Sequence, residues 1–233
     1  MLNRDLHKAA FINALSVIYS DSLIRTLLGF KGGTAAMLFY ELPRFSVDLD
    51  FDLLNEDKKE LVFQRLKEIL PRVGRIDQAS EKHYTLFFLI DYKKGERNLK
   101  VEISKRPSKA EFEVKNYLGI PMLVMKEDDA AAGKLSALTT RKKFATRDMF
   151  DMWYFLVNNW PIDEEVLKEH TGLTLNQALK KAQERIKNVK KTELLAGLGD
   201  LLDNKQKAFV KEKIVEELTF QLKLRQTLEE ENK

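Results

Sequence analysis

The chain has no cysteine among its 233 residues. Disulfides, thiolate metal centres and a cysteine nucleophile are therefore excluded, and a reducing compartment suits the sequence. Histidine is scarce as well. His7, His83 and His170 are scattered, which argues against a histidine-based metal site or catalytic dyad. No stretch approaches the roughly 20 apolar residues of a membrane span. The opening Met1-Leu2-Asn3-Arg4-Asp5 leads into no apolar run of the kind a secretion signal needs, so the expected location is the cytoplasm with no membrane partner. No Gly-x-x-x-x-Gly-Lys-Ser/Thr run exists, which argues against a P-loop. Internal repeats and low-complexity linkers are also missing.

What remains is a globular composition, 44% hydrophobic and 33% charged, long enough for one large domain or two small ones. The net charge of +4 is unevenly placed: residues 100–147 carry a local +5 and the remainder sums to −1. Such a segment suits a polyanion, either a triphosphate or a nucleic acid, or else forms a solvated helix face.

Apolar periodicity predicts a helix over 5–28 closed by Gly29, a buried helix over 34–42 stopped by Pro43, and a strand over 46–53. An amphipathic helix over 55–70 follows. Two strands, 84–91 and 98–104, then flank the hairpin signal Lys93-Lys94-Gly95-Glu96. Residues 105–125 read as irregular, with short extended pieces at 112–114 and 122–125. From Glu127 the pattern is helical, with breaks near Pro161, Gly172, Gly197 and Asp203 and a long last helix over 205–231. The expected fold class is α+β: a mixed sheet flanked by helices (1–120), then a helical half (121–233) completing a cleft.

Within the first half stands Lys31-Gly32-Gly33-Thr34, followed by Ser46-Val47-Asp48-Leu49-Asp50-Phe51. Paired glycines where a helix begins offer backbone N–H groups to a phosphate chain. Asp48 and Asp50 point the same way on a strand, because side chains alternate with period 2. Hard cations such as Mg²⁺ take carboxylate oxygens, and a third acid from a neighbouring strand completes the set. Glu102 is the candidate, on the polar face of a strand whose Leu99, Val101 and Ile103 point inward; Asp52 is its rival. Two carboxylates about 6 Å apart repel by roughly 3 kcal/mol at an effective dielectric near 20. In a cleft the trio calls for a cation, whereas on an open strand face it means nothing. Thr34 is placed to contact phosphate or to cap its helix. Ser46, on the metal face, is a phosphate or ribose contact or a simple surface serine.

These residues resemble the first motif of the AbiEii/AbiGii nucleotidyltransferase toxins, within the DNA polymerase β-like nucleotidyltransferase superfamily. The quoted blocks are Gly32-Gly33-Thr34-Ala35-Ala36 and Arg44-x-Ser46-x-Asp48-Leu49-Asp50-Phe51. A second block, Lys134-Leu135-x-Ala137-Leu138, Arg141 and Arg147-Asp148-x-x-Asp151, is similar to the family's lysine-bearing helix and the helix that follows it. The resemblance covers roughly residues 29–156. It implies a nucleotidyltransferase-like fold and Mg²⁺-dependent transfer of a nucleotide from an NTP, in some relatives to the 3′ end of tRNA. It also implies the toxin half of a toxin–antitoxin or abortive-infection pair, with a cognate antitoxin as partner. On this likeness Asp48, Asp50 and Glu102 hold metal, although the family's third acid is commonly aspartate. Lys31, Gly32, Gly33, Thr34, Ser46 and Arg147 contact the nucleotide, and Lys134 neutralises its phosphates. Asp148 and Asp151 join the catalytic set. By chemistry alone, Lys134 is equally a snorkelling surface lysine and Arg147–Asp151 a helix-surface pair.

Overall fold

A computed structural model describes residues 2–231. The described chain falls into two compact units: residues up to Pro107 with Glu111–Met125, and Ser108–Ala110 with the residues from Lys126 onward.

The first unit opens with α1 (Arg4–Tyr19), capped by Asn3, whose side chain accepts the Leu6 N–H at 3.1 Å. The helix ends at Tyr19 rather than running to 28. Asp21 turns the chain by accepting the Leu23 N–H (3.0 Å) and the Arg65 guanidinium (2.7 Å). Leu28–Lys31 then form a strand, β1, where the sequence predicted a helix end. Gly29 is no helix stop: a Cβ there would lie 2.3 Å from the Phe112 ring, so the strand needs glycine to let that ring pass. Next come α2 (Gly32–Phe39), β2 (Asp48–Leu53), a 3₁₀ turn (Glu56–Lys58) and α3 (Lys59–Ile69). Strands β3 (Arg75–Glu81), β4 (Thr85–Asp91), β5 (Leu99–Ser104), β6 (Phe112–Tyr117) and β7 (Ile120–Met125) complete the unit.

The seven strands form one sheet in the order β3-β4-β5-β2-β1-β7-β6. Pairing is parallel for β2–β5 and β1–β7 and antiparallel elsewhere. One face is core: Phe30, Leu49, Phe51, Phe88, Val101 and Ile103 are fully buried. Phe63 of α3 packs on Phe88 (ring centroids 5.3 Å) and Tyr19 of α1 on Phe51 (6.3 Å). Because side chains alternate, the opposite face of the same strands carries Lys31, Asp48, Asp50, Asp52, Lys100 and Glu102.

The second unit holds α4 (Glu127–Thr140), α5 (Thr146–Val157), α6 (Glu164–Thr171), α7 (Leu175–Lys187), α8 (Asn204–Glu212) and α9 (Ile214–Glu231). Asp163 caps α6, and capping boxes Thr174/Gln177 and Asp203/Gln206 open α7 and α8. The long last helix expected over 205–231 is two helices, broken at Lys213. Among the described residues, no helix is long and apolar enough to cross a membrane.

Candidate active site

Register builds the site in the first unit. Parallel pairing sets Asp48 beside Lys100 and Asp50 beside Glu102, while antiparallel pairing sets Asp50 beside Lys31. Three carboxylates therefore share two neighbouring strands and one face. Lys100 Nζ lies 3.3 Å from Asp48 and 3.1 Å from Glu102, bridging them. Burial alone would lower the Lys100 ammonium pKa, but the Asp48 and Glu102 charges outweigh it and the net shift is upward. Asp50 is held above the ordinary carboxylate range, first by desolvation and then by the Asp48 charge, with Lys100 opposing. Asp52, the rival third acid, is buried and ion-paired to Lys31, which ties both residues to one another.

The diglycine lies directly against these acids. Gly32 has φ +81°, and a Cβ on it would sit 2.7 Å from Asp50 Oδ2. At Gly33 a Cβ would lie 2.5 Å from Arg44 Nη2 and 2.9 Å from Ser46 Oγ. Lys31, at the cap of α2, makes no side-chain cap bond, so the helix presents its first N–H groups without a capping side chain. Thr34 is fully buried, and its hydroxyl donates to the Asp48 carbonyl at 2.5 Å. That bond anchors the start of β2 to α2; the hydroxyl neither caps the helix nor faces outward. Ser46 is buried against Gly33 rather than on the surface.

The other predicted residues form a cluster in the second unit. Lys134 of α4 meets Asp148 at 3.0 Å and Asp151 at 2.7 Å, both on α5, and Arg141 meets the second Asp148 oxygen at 2.8 Å. The two aspartate side chains are at most 1% exposed and the Lys134 side chain 16%. Lys134 is accordingly no snorkelling lysine: its charge is held by two buried acids. Arg147, on the first turn of α5, is half-buried.

Residues 14–227 match the family described as nucleotidyl transferase AbiEii toxin, type IV TA system. The chain belongs to this family. AbiEii proteins are nucleotidyltransferases and act as the toxin of a toxin–antitoxin system, which gives this chain a cognate antitoxin as partner. Two crystal structures from Helicobacter pylori share its fold. A candidate nucleotidyltransferase is 23% identical at TM-score 0.63, covering 99% of this chain and 97% of its own. JHP933 is 23% identical at TM-score 0.62, covering 100% of this chain and 96% of its own. No curated protein matches the chain.

Two residues beside the candidate site had no role assigned from the sequence: Arg44, which stands in the quoted motif, and His7. Arg44 is 3% exposed and stands beside Gly33. Its signal lay in the period-2 series Arg44, Ser46, Asp48, Asp50, which begins before the strand does. Fully buried His7 approaches the Val47 carbonyl through Nε2 at 2.8 Å and the Tyr92 hydroxyl through Nδ1 at 2.9 Å. Nε2–H therefore donates to Val47 and the tyrosine O–H donates to Nδ1, fixing the residue just before Asp48. Burial lowers its pKa, which keeps the ring neutral. No local pattern marks such a contact, because it joins positions 7 and 47.

The donor set suits a hard divalent cation: oxygen ligands only, and an excess of negative charge that desolvates badly at Asp50. Among the described residues, no three acid, histidine or cysteine side chains converge as a ready-made cage. The ammonium of Lys100 stands between two of the three acids instead.

Proposed function

We propose that this AbiEii protein transfers a nucleotide from an NTP to a hydroxyl of an RNA, with the tRNA 3′ end as the leading acceptor, at Asp48, Asp50 and Glu102. The carrying observation is the contact between Gly32 and Asp50. A phosphate bound on the amides of α2 would lie beside the carboxylates, since Gly32 packs against Asp50. Arg44, behind Gly33, adds fixed positive charge to that corner. Mg²⁺ held by Asp48, Asp50 and Glu102 would supply charge neutralisation at the phosphates.

The chain's own part is alignment and proton transfer. The acceptor oxygen bonds to the α-phosphorus as the bond from that phosphorus to the bridging oxygen breaks, and pyrophosphate leaves. The hydroxyl proton passes to a carboxylate of the trio. Thr34 and His7 act as positioning residues, holding both ends of the Val47–Asp48 step. We place the reaction in the cytoplasm, where NTP and RNA are both available.

The test is incubation with each labelled NTP and total RNA, followed by separation of RNA, protein and small molecules. Label on RNA 3′ ends is expected, and Asp48→Asn or Asp50→Asn lowers transfer by about 10²-fold or more. Label on a protein or small molecule instead would overturn the RNA acceptor. Transfer undiminished in both variants would overturn the site.

A further inference from the structure

The charges on the polar face of the sheet are paired unevenly. Strand β2 carries Asp48, Asp50 and Asp52 at alternate positions. Lys100 serves one end of that series, 3.3 Å from Asp48. Lys31 serves the other end, ion-paired with Asp52. Among the described residues, Asp50 between them forms no ion pair. Register makes that gap unexpected. Antiparallel pairing sets Lys31 directly opposite Asp50, where Cβ atoms stand about 5 Å apart. Asp52 is the diagonal neighbour, at about 7–8 Å, within reach of a long side chain only. The Lys31 ammonium passes the nearer carboxylate and ends on the farther one.

Burial holds it there. The Asp52 side chain is 5% exposed, and its direct partners across β1 and β5 are Gly29 and Ser104, neither of them charged. Its Oδ2 has no hydrogen-bond partner among the described residues. A buried carboxylate so placed calls for a cation more strongly than half-buried Asp50 does, and Lys31 supplies it. Cohesion of the strands does not require this pair, since apolar side chains of similar volume commonly pack as well in its place. What the charges fix is the position of the ammonium. That position matters at Asp50, the carboxylate that lies against Gly32. Lys100 already stands between Asp48 and Glu102. A second ammonium on Asp50 would leave an incoming cation no uncommitted acid.

We infer that Asp52 is a positioning residue that holds Lys31 off Asp50 and so keeps one carboxylate of the trio open to a divalent cation. The role rests on the proposed site at Asp48, Asp50 and Glu102, and it adds an acid that touches neither cation nor nucleotide.

Mn²⁺ takes the oxygen ligands of Mg²⁺ and is read by electron paramagnetic resonance, so its titration into the full chain tests the role. Asp52→Ala should weaken Mn²⁺ binding by about tenfold, because the released Lys31 pairs with Asp50 and the ion must displace it. The double variant Asp52→Ala/Lys31→Met should return to within about twofold of the native affinity, a rescue that lost packing cannot give. Asp52→Ser, alone and with Lys31→Met, repeats the comparison should the alanine variant fail to fold. Native affinity in Asp52→Ala overturns the positioning role and leaves the transferase reading standing. A double variant as weak as the single one assigns the loss to packing and overturns the role as well. A native chain that takes up no Mn²⁺, or whose uptake survives Asp50→Asn, overturns the cation site itself and this role with it.

Discussion

Lys100 sets the electrostatics of the carboxylates. With Asp48, Asp50 and Glu102 on one face, a single ammonium at 3.3 and 3.1 Å from two of them balances part of their charge. A divalent ion that binds Asp48 and Glu102 competes with it. The Lys100→Met variant should therefore bind Mn²⁺, a spectroscopic stand-in for Mg²⁺, about tenfold more tightly by electron paramagnetic resonance titration; that factor corresponds to roughly 1.4 kcal/mol, of the size expected for a partly exposed ion pair. The same substitution leaves three acids unbalanced when no ion is bound, so the ion-free variant should melt below wild type. Unchanged Mn²⁺ affinity would show that Lys100 does not share the ion's place. Gly32 makes the corresponding steric point. Its φ of +81° and the 2.7 Å approach of Asp50 leave no room for a side chain, so the spacing of backbone and acid is fixed by the residue that is missing one.

At the level of elements, the helix pair α4–α5 is joined by charge. Lys134 serves Asp148 and Asp151 together, and Arg141 covers the second oxygen of Asp148. Removing one partner of a buried pair leaves an uncompensated charge at a cost of about 3–5 kcal/mol. Lys134→Met should lower the urea midpoint accordingly, followed by tryptophan fluorescence, since Trp153 and Trp160 both lie in the helical unit. An unchanged midpoint would free Lys134 for a purely catalytic role. The elements that sequence patterning revealed were those with a long apolar period: α2, α3, β2, β4 and β5 lie where alternation or a 3.6-residue repeat predicts them, and α1 starts there but stops nine residues early, at Tyr19 rather than 28. The elements it missed lack that signal for physical reasons. β1 has four residues, too few to show alternation. β3, Arg75-Ile76-Asp77-Gln78-Ala79-Ser80-Glu81, is a polar edge strand whose structure comes from pairing with β4. β6 and β7 were expected only as short extended pieces at 112–114 and 122–125; what went unread is the turn joining them on Leu118 (φ 50°) and Gly119 (φ 82°), which asparagine-glycine would have announced and leucine-glycine does not. The acids were legible because register follows from strand parity; the pairing of Lys100 across two strands was not, because it depends on which strands are neighbours.

For the molecule as a whole, one route by which pH reaches stability near neutrality is a buried histidine, while Asp50, held above the ordinary carboxylate range, acts in the opposite sense. His83 and His170 are exposed, whereas His7 is buried between α1, Val47 and Tyr92. Desolvation, with Arg97 adding to it, lowers the His7 pKa in the folded state, while in the unfolded chain it returns to about 6.5. The unfolded state then binds the proton more readily. Stability is full above about pH 6.5 and declines as pH falls below it toward the folded value, by at most about 1.4 kcal/mol per pH unit from this group. The decline must show in the sheet unit, where tryptophan fluorescence is silent because both tryptophans lie in the helical one. Hydrogen exchange of the β2 and β5 amides between pH 7.5 and 5.5, corrected for intrinsic rates, reads it directly. His7→Gln should cost about 1–3 kcal/mol at neutral pH through its lost hydrogen bonds and flatten the decline, while His83→Gln should leave both unchanged. Loss of protection below pH 6.5 that persists in His7→Gln would assign the acid sensitivity to other groups. It would also remove His7 as the pin that holds Val47 and, through it, the first carboxylate of the site.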